Sequence, residues 1–166
     1  MMRKCMYFLI GSLMGMTASL QLFVRPISQK KYKAEKMSAK HHDLYMLMND
    51  WVYVKQQNKS LTQYFEKHKY NRIAIYGINY VGLTLLSELQ NSDVEVVAGI
   101  DQNVKDATAD IRILKPNEFA EDVDAIVVTP ITFFGEIADM LESKNLNCPI
   151  ISIKDIVFET MQLGKS

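Results

Sequence analysis

From Ile73 onward the chain alternates short apolar runs with segments of helical spacing, and this alternation restricts the fold more than any other feature. Ile73-Ala74-Ile75-Tyr76 is too brief for a helix and ends in Gly77. A helical pattern follows from about Tyr80 to Gln90, with Val81, Leu85, Leu86 and Leu89 inward. Val94 to Ile100 reads as a second strand, Ile111 to Leu114 as a short third, and Asp124 to Thr129 as a fourth. Pro116 suits the first turn of a short helix to about Ala120. A helix from about Thr132 to Ser143, a strand from Pro149 to Ile153 and a helix from Lys154 to Met161 complete the pattern. Strands that are continuous apolar runs are covered on both faces, which requires a parallel sheet with helices on each side. The predicted fold class is α/β, a small doubly wound parallel sheet of about five strands.

The turn after the first strand is Gly77-Ile78-Asn79-Tyr80-Val81-Gly82, and Asp101 lies at the end of the second strand. This is the place and nearly the composition of a Rossmann phosphate loop. There the first glycine makes the turn, the second admits pyrophosphate, the third lets helix and strand pack, and the acid takes ribose hydroxyls. Gly77, Gly82 and Asp101 match, while Asn79 replaces the middle glycine. Asparagine tolerates positive φ, so the turn is expected to form, but its side chain stands where pyrophosphate would come closest. The candidate cofactor-binding residues are therefore Gly77, Ile78, Asn79, Tyr80, Gly82 and Asp101, with Thr129 at the end of the fourth strand. NAD(P) or a nucleotide-sugar is the expected ligand class. About 90 residues are short of the two mononucleotide-binding halves that hold a whole dinucleotide. The bland reading is that glycine and asparagine simply serve the turn.

Catalytic residues are not evident. Tyr32-x-x-x-Lys36 has the spacing of the short-chain dehydrogenase pair but precedes the glycine loop, whereas in that family it follows. Cys148 has no nearby histidine in sequence and reads as an inert buried thiol, and Cys5 is far from it, so no disulfide framework is indicated. His41 and His42 are adjacent, hence about 100° apart on a helix, and do not face one ion together. Nineteen basic and nineteen acidic residues leave no net charge, which argues against nucleic acid as a partner.

Met6 to Val24 is an uncharged stretch of 19 residues, about 28 Å as a helix and enough to span a hydrocarbon core. Arg3 and Lys4 also suit the basic start of a cleaved signal peptide, but no small-x-small site follows, and the anchor is the favoured reading. Arg25, Lys30, Lys31, Lys33, Lys36 and Lys40 follow the stretch, which places the C-terminal side in the cytoplasm and the basic segment against anionic lipid. Gly11 and Gly15 form a GxxxG, a weak signal for a homodimer. From Lys33 to Gln56 no Gly or Pro interrupts an amphipathic helix with Met37, Leu44, Met48 and Trp51 in its stripe. Tyr45, Leu47 and Val52 widen that face, which is expected to dock on the α/β domain or on a partner helix. A second helix starts at Ser60-Leu61-Thr62-Gln63, a capping-box pattern, and carries Leu61, Tyr64, Phe65 and His68 on one face. The predicted organisation is residues 1–31 as transmembrane anchor and basic flank, 32–70 as juxtamembrane helices, and 71–166 as the Rossmann-like domain.

The stretches WVYVKQQNKSLTQYFEKHKYNRIAIYGINYVG, VVAGIDQN, VDAIVVTP and CPIISIKDIVFE resemble Rossmann-like domains encoded with, or fused to, glycosyltransferases of bacterial capsular and exopolysaccharide clusters. The N-terminal domains of nucleotide-sugar dehydratases and sugar acetyltransferases are more distantly similar. By that resemblance Gly77, Gly82 and Asp101 stand at nucleotide-binding positions, Asn79 departs from the family glycine, and the dehydratases' catalytic domain has no counterpart. The implied role is a membrane-tethered accessory protein of cell-surface polysaccharide biosynthesis that binds a nucleotide or nucleotide-sugar. Membrane lipid, a membrane-associated glycosyltransferase and a second copy are the expected partners. Two alternatives stand beside it: an NAD(P)-dependent sugar oxidoreductase or epimerase acting as an oligomer, and a non-binding interaction module that recruits a glycosyltransferase.

Overall fold

The computed structural model describes residues 30–103, 111–144 and 146–164. The expected anchor over Met6–Val24 lies outside the described residues, and among those described no helix is long and apolar enough to cross a membrane. The chain divides into two units, residues 1–42 and 43–166. In the first, residues 30–42 are helical and exposed, and Lys31 Nζ stands 3.8 Å from Glu35 one turn on. The second holds the whole sheet.

That unit is an α/β fold around five parallel strands: β1 (Arg72–Tyr76), β2 (Glu95–Ile100), β3 (Ile113–Leu114), β4 (Ala125–Val128) and β5 (Ile150–Ser152). The spatial order is β3-β2-β1-β4-β5, the doubly wound arrangement, with the reversal between β1 and β4. Helix α1 is residues 43–56 of this unit, α2 is Thr62–His68, α3 Tyr80–Leu89, α4 Phe134–Glu142 and α5 Ile153–Gln162. Alternation along β1 divides the core. Ile73 and Ile75 pack with α1, α2, α3 and α5, while Ala74 and Tyr76 pack on the opposite face with Phe119, Val123 and Leu141 of α4. The expected helix at Pro116–Ala120 is only a turn over residues 116–118, where the Lys115 carbonyl accepts from the Glu118 N–H, and residues 119–123 take no regular structure. A 3₁₀ turn, Ile131–Phe133, precedes α4 and delays its start.

Residues 43–56 dock on the α/β core through the expected stripe, without its widened edge at Tyr45 and Val52. Leu47, Trp51 and Val54 are buried, Leu44 and Met48 are partly covered, and Tyr45 and Val52 are exposed. A carboxylate of α3 fixes this docking. Glu88 accepts from the Trp51 indole N–H at 2.6 Å, Lys55 Nζ at 3.0 Å, the Ser60 hydroxyl at 3.0 Å and the Leu61 N–H at 2.8 Å. The expected reciprocal cap of Ser60 and Gln63 gives way to this arrangement. The Ser60 hydroxyl donates to Glu88 and accepts from the Thr62 N–H, and the N-terminus of α2 takes its main acceptor from another helix. At the other end of α2, His68 Nε2 lies 2.8 Å from Glu159 of α5, with its ring stacked on Tyr70 and 4.4 Å from that of Tyr64.

Candidate functional site

In a doubly wound sheet ligands sit beyond the carboxyl ends of the strands, where the order reverses. Here that place is the gap between the loops leaving β1 and β4, with β2 alongside. A cleft of about 430 Å³ opens there. Tyr76 and Gly77 form one part of its lining, Asp101, Gln102 and Asn103 a second, and Pro130, Phe133 and Glu136 a third, with Asn79 at the loop. A larger hollow of about 640 Å³ lies between α1 and α3, lined by Met48, Val52, Tyr80, Leu83 and Ser87. Its polar side chains Trp51, Lys55 and Glu88 are joined to one another and no strand end opens into it, so the smaller cleft is the candidate.

Each glycine-loop residue has a definable task. Gly77 is at φ +89, and a Cβ there would lie 2.7 Å from two Pro130 side-chain carbons and 2.8 Å from Thr129 Oγ1. Only glycine fits that turn without strain. Gly82 sits in the first turn of α3, where a Cβ would fall 2.2 Å from the Gly77 carbonyl oxygen, so it lets the helix close onto the loop. Ile78 buries its side chain against Gly99, and its N–H donates to Asp101 Oδ2 at 2.9 Å. The Asn103 N–H donates to the other oxygen, Oδ1, at 2.9 Å. Thr129 is 2 % exposed and faces the loop, with its hydroxyl donating to the Gly77 carbonyl at 2.6 Å. It is a clasp on the turn beneath the cleft.

Asn79 departs from the expectation. It is not in a left-handed conformation but extended, at φ −101 and ψ −167, as the N-cap of α3. Its Oδ1 accepts from the Val81 N–H at 3.0 Å and the Gly82 N–H at 3.3 Å. These are the orphan donors with which a helix N-terminus holds phosphate, and here a side chain already occupies them. Tyr80, the next residue, is 89 % exposed and lines the α1–α3 hollow rather than the cleft.

The structure thus brings Gly77, Asn79 and Asp101 into one cleft, sets Ile78, Gly82 and Thr129 behind it as framework, and turns Tyr80 away. Sequence reading missed Gln102, Asn103, Pro130, Phe133 and Glu136. The signal was available, because the loops after both strands at a reversal point contribute to a site, and Pro130-Ile131-Thr132-Phe133 directly follows the fourth apolar run. Cys148 is half-buried against the α4 face, and burial, with Asp122 nearby, pushes its thiol up and away from the thiolate. Among the described residues no three of His, Cys, Asp and Glu gather as a metal site requires.

A family model described as C2185-like, N-terminal matches residues 69–151, half of the chain and nearly all of the sheet. No curated protein and no solved structure matches.

Proposed function

The chain belongs to the C2185-like, N-terminal family, and we propose that its α/β unit is a Rossmann-like, non-catalytic binding module for a nucleotide or nucleotide-sugar, tethered to the cytoplasmic face of a membrane in cell-surface polysaccharide biosynthesis. The observation that carries the binding reading is the cleft at the β1/β4 reversal, with Gly77 at its base and Asp101 at the tip of β2. The uncharged stretch Met6–Val24 and the lysines that follow support the tether, and the family resemblance of the sequence supports the pathway. Held beside membrane-bound transferases, such a module presents or senses their donor. It needs no acid, base or nucleophile of its own.

A second reading, an interaction module without a ligand, is favoured by Asn79, whose side chain fills the helix N-terminus. Isothermal titration of the full chain in detergent against NAD(H), NADP(H), UDP-sugars and simple nucleotides separates the two. The binding reading expects heat from at least one ligand and its loss in Asp101→Ala. No heat from any of them, with the chain folded by circular dichroism, would reject that reading in favour of the interaction module.

A further inference from the structure

We propose that the cleft grips its ligand by an uncharged, hydroxyl-rich ring, the hexose of a nucleotide-sugar rather than its ribose, and leaves any phosphate outside. This rests on the binding reading above and reverses the part of the ligand that a glycine loop ordinarily holds.

Three observations carry it. The donors that receive pyrophosphate in such loops are already used: the N–H groups of Val81 and Gly82 donate to Asn79, that of Ile78 to Asp101 and that of Gly77 to the Ile100 carbonyl. A phosphate entering there would have to displace two side chains of the loop's own framework. Among the described residues the lining also contains two acids, Asp101 and Glu136, and no Lys, Arg or His. Carboxylates repel phosphate in a partly desolvated cleft and accept hydrogen bonds from hydroxyls. Each Asp101 oxygen receives one backbone N–H, which leaves each with capacity for a second donor. Finally, the rest of the lining suits a sugar. Gln102, Asn103 and the amide nitrogen of Asn79 supply donors, while Pro130, Phe133 and Ile137 supply an apolar side for C–H faces. A volume of about 430 Å³ lies in the lower part of the range of small-molecule sites, roughly 300–1,000 Å³.

The test is titration of the full chain with a panel of UDP-hexoses and UDP-N-acetylhexosamines, the corresponding methyl glycosides, UDP, and inorganic pyrophosphate. The inference expects methyl glycosides to bind within about tenfold of the matching UDP-sugars, and UDP and pyrophosphate to show no heat. It also expects Glu136→Gln to weaken glycoside binding about tenfold, the size of one lost charge-assisted hydrogen bond. Glu136 is an exposed residue of α4, so that variant spares the fold. Asn79→Gly, which frees the Val81 and Gly82 N–H groups, is expected to create pyrophosphate binding that the unaltered chain lacks. UDP or pyrophosphate binding as tightly as the UDP-sugars would overturn the inference and leave the binding reading standing. Silence from the whole panel, glycosides included, would overturn the inference, and silence from NAD(H), NADP(H) and simple nucleotides as well would overturn the binding reading with it.

Discussion

Replacing Glu88 by alanine is expected to loosen the docking of α1 and α2 on the sheet by about 2–4 kcal/mol. The estimate is built from its four partners. The Leu61 N–H and the Trp51 indole N–H, at 2.8 and 2.6 Å, would lose their acceptor within a partly buried junction. Each donor left unsatisfied costs about 1–3 kcal/mol, toward the low end where water enters. The adjoining α1–α3 hollow admits water. Lys55 is half-exposed and its ion pair adds only about 0–1 kcal/mol, and the Ser60 hydroxyl is free to turn to solvent. The Glu88 side chain itself is 9 % exposed, so its own deletion also removes packing. Urea unfolding of the full chain in mild detergent is the assay, read through Trp51, the only tryptophan, which reports the junction directly. At an unchanged slope the midpoint should fall by about 1–2 M. Glu88→Gln, which keeps one carbonyl acceptor, should lose roughly half as much. A loss under about 0.5 kcal/mol for Glu88→Ala would refute the idea that this carboxylate joins the helices.

Other outcomes follow from the same geometry. Gly77→Ala meets positive φ and a Cβ 2.7 Å from Pro130, so thermal unfolding should show a loss of about 2–4 kcal/mol; a change under about 0.5 would contradict the tight turn. Asn79→Ala should cost about 1 kcal/mol as a lost N-cap and Asn79→Gly only a few tenths, a ranking that the same thermal assay reads. Stability should fall at the acid and at the alkaline end of the pH range. On the acid side, burial pushes Glu88 up, but the Leu61 N–H, Trp51, Lys55 and Ser60 together hold it below its ordinary 4.5, and the Lys67 ammonium, with His68, holds Glu159 below 4.5 too. Depressed folded values mean stability present above 4.5 and lost as pH falls through them. On the alkaline side, burial and the nearby Glu159 push Tyr64 from 10.0 up to about 12, so its contribution holds below 10 and is lost as pH rises to about 12. A urea midpoint measured from pH 3 to 11 that rises on acidification would contradict this.

The strand and helix order was legible because five apolar runs are separated by turn chemistry, and a buried parallel strand leaves little room for another reading. Ends were less so. Pro116 marks a possible helix start, but the segment after it belongs to the edge beside β3, where Phe119 and Val123 pack singly on the sheet and no helical face is needed. The α1 stripe of Leu44, Met48 and Trp51 was legible, but its edges were not, because periodicity reports that an apolar stripe exists, not where a distant residue will fix it. The Glu88 contacts, 27 to 37 residues away in sequence, choose Trp51 and Leu47 over Tyr45 and Val52. At the site, Gly77 and Asp101 were found through the glycine-loop pattern. The role of Asn79 was missed by weighing it only against the glycine it replaces. An asparagine two residues before the first buried position of Val81-Gly82 and Leu85 is also an N-cap signal, and that property decides its conformation.

The most direct test of the account is to label the full chain with ¹⁵N and follow its amide resonances while a bound UDP-sugar or glycoside is titrated in. The account predicts shifts concentrated at Gly77, Asn79, Asp101, Gln102, Asn103 and Ile137, the lining of the β1/β4 cleft. Shifts centred on Met48, Val52, Leu83 and Ser87 would place the ligand in the α1–α3 hollow and contradict it.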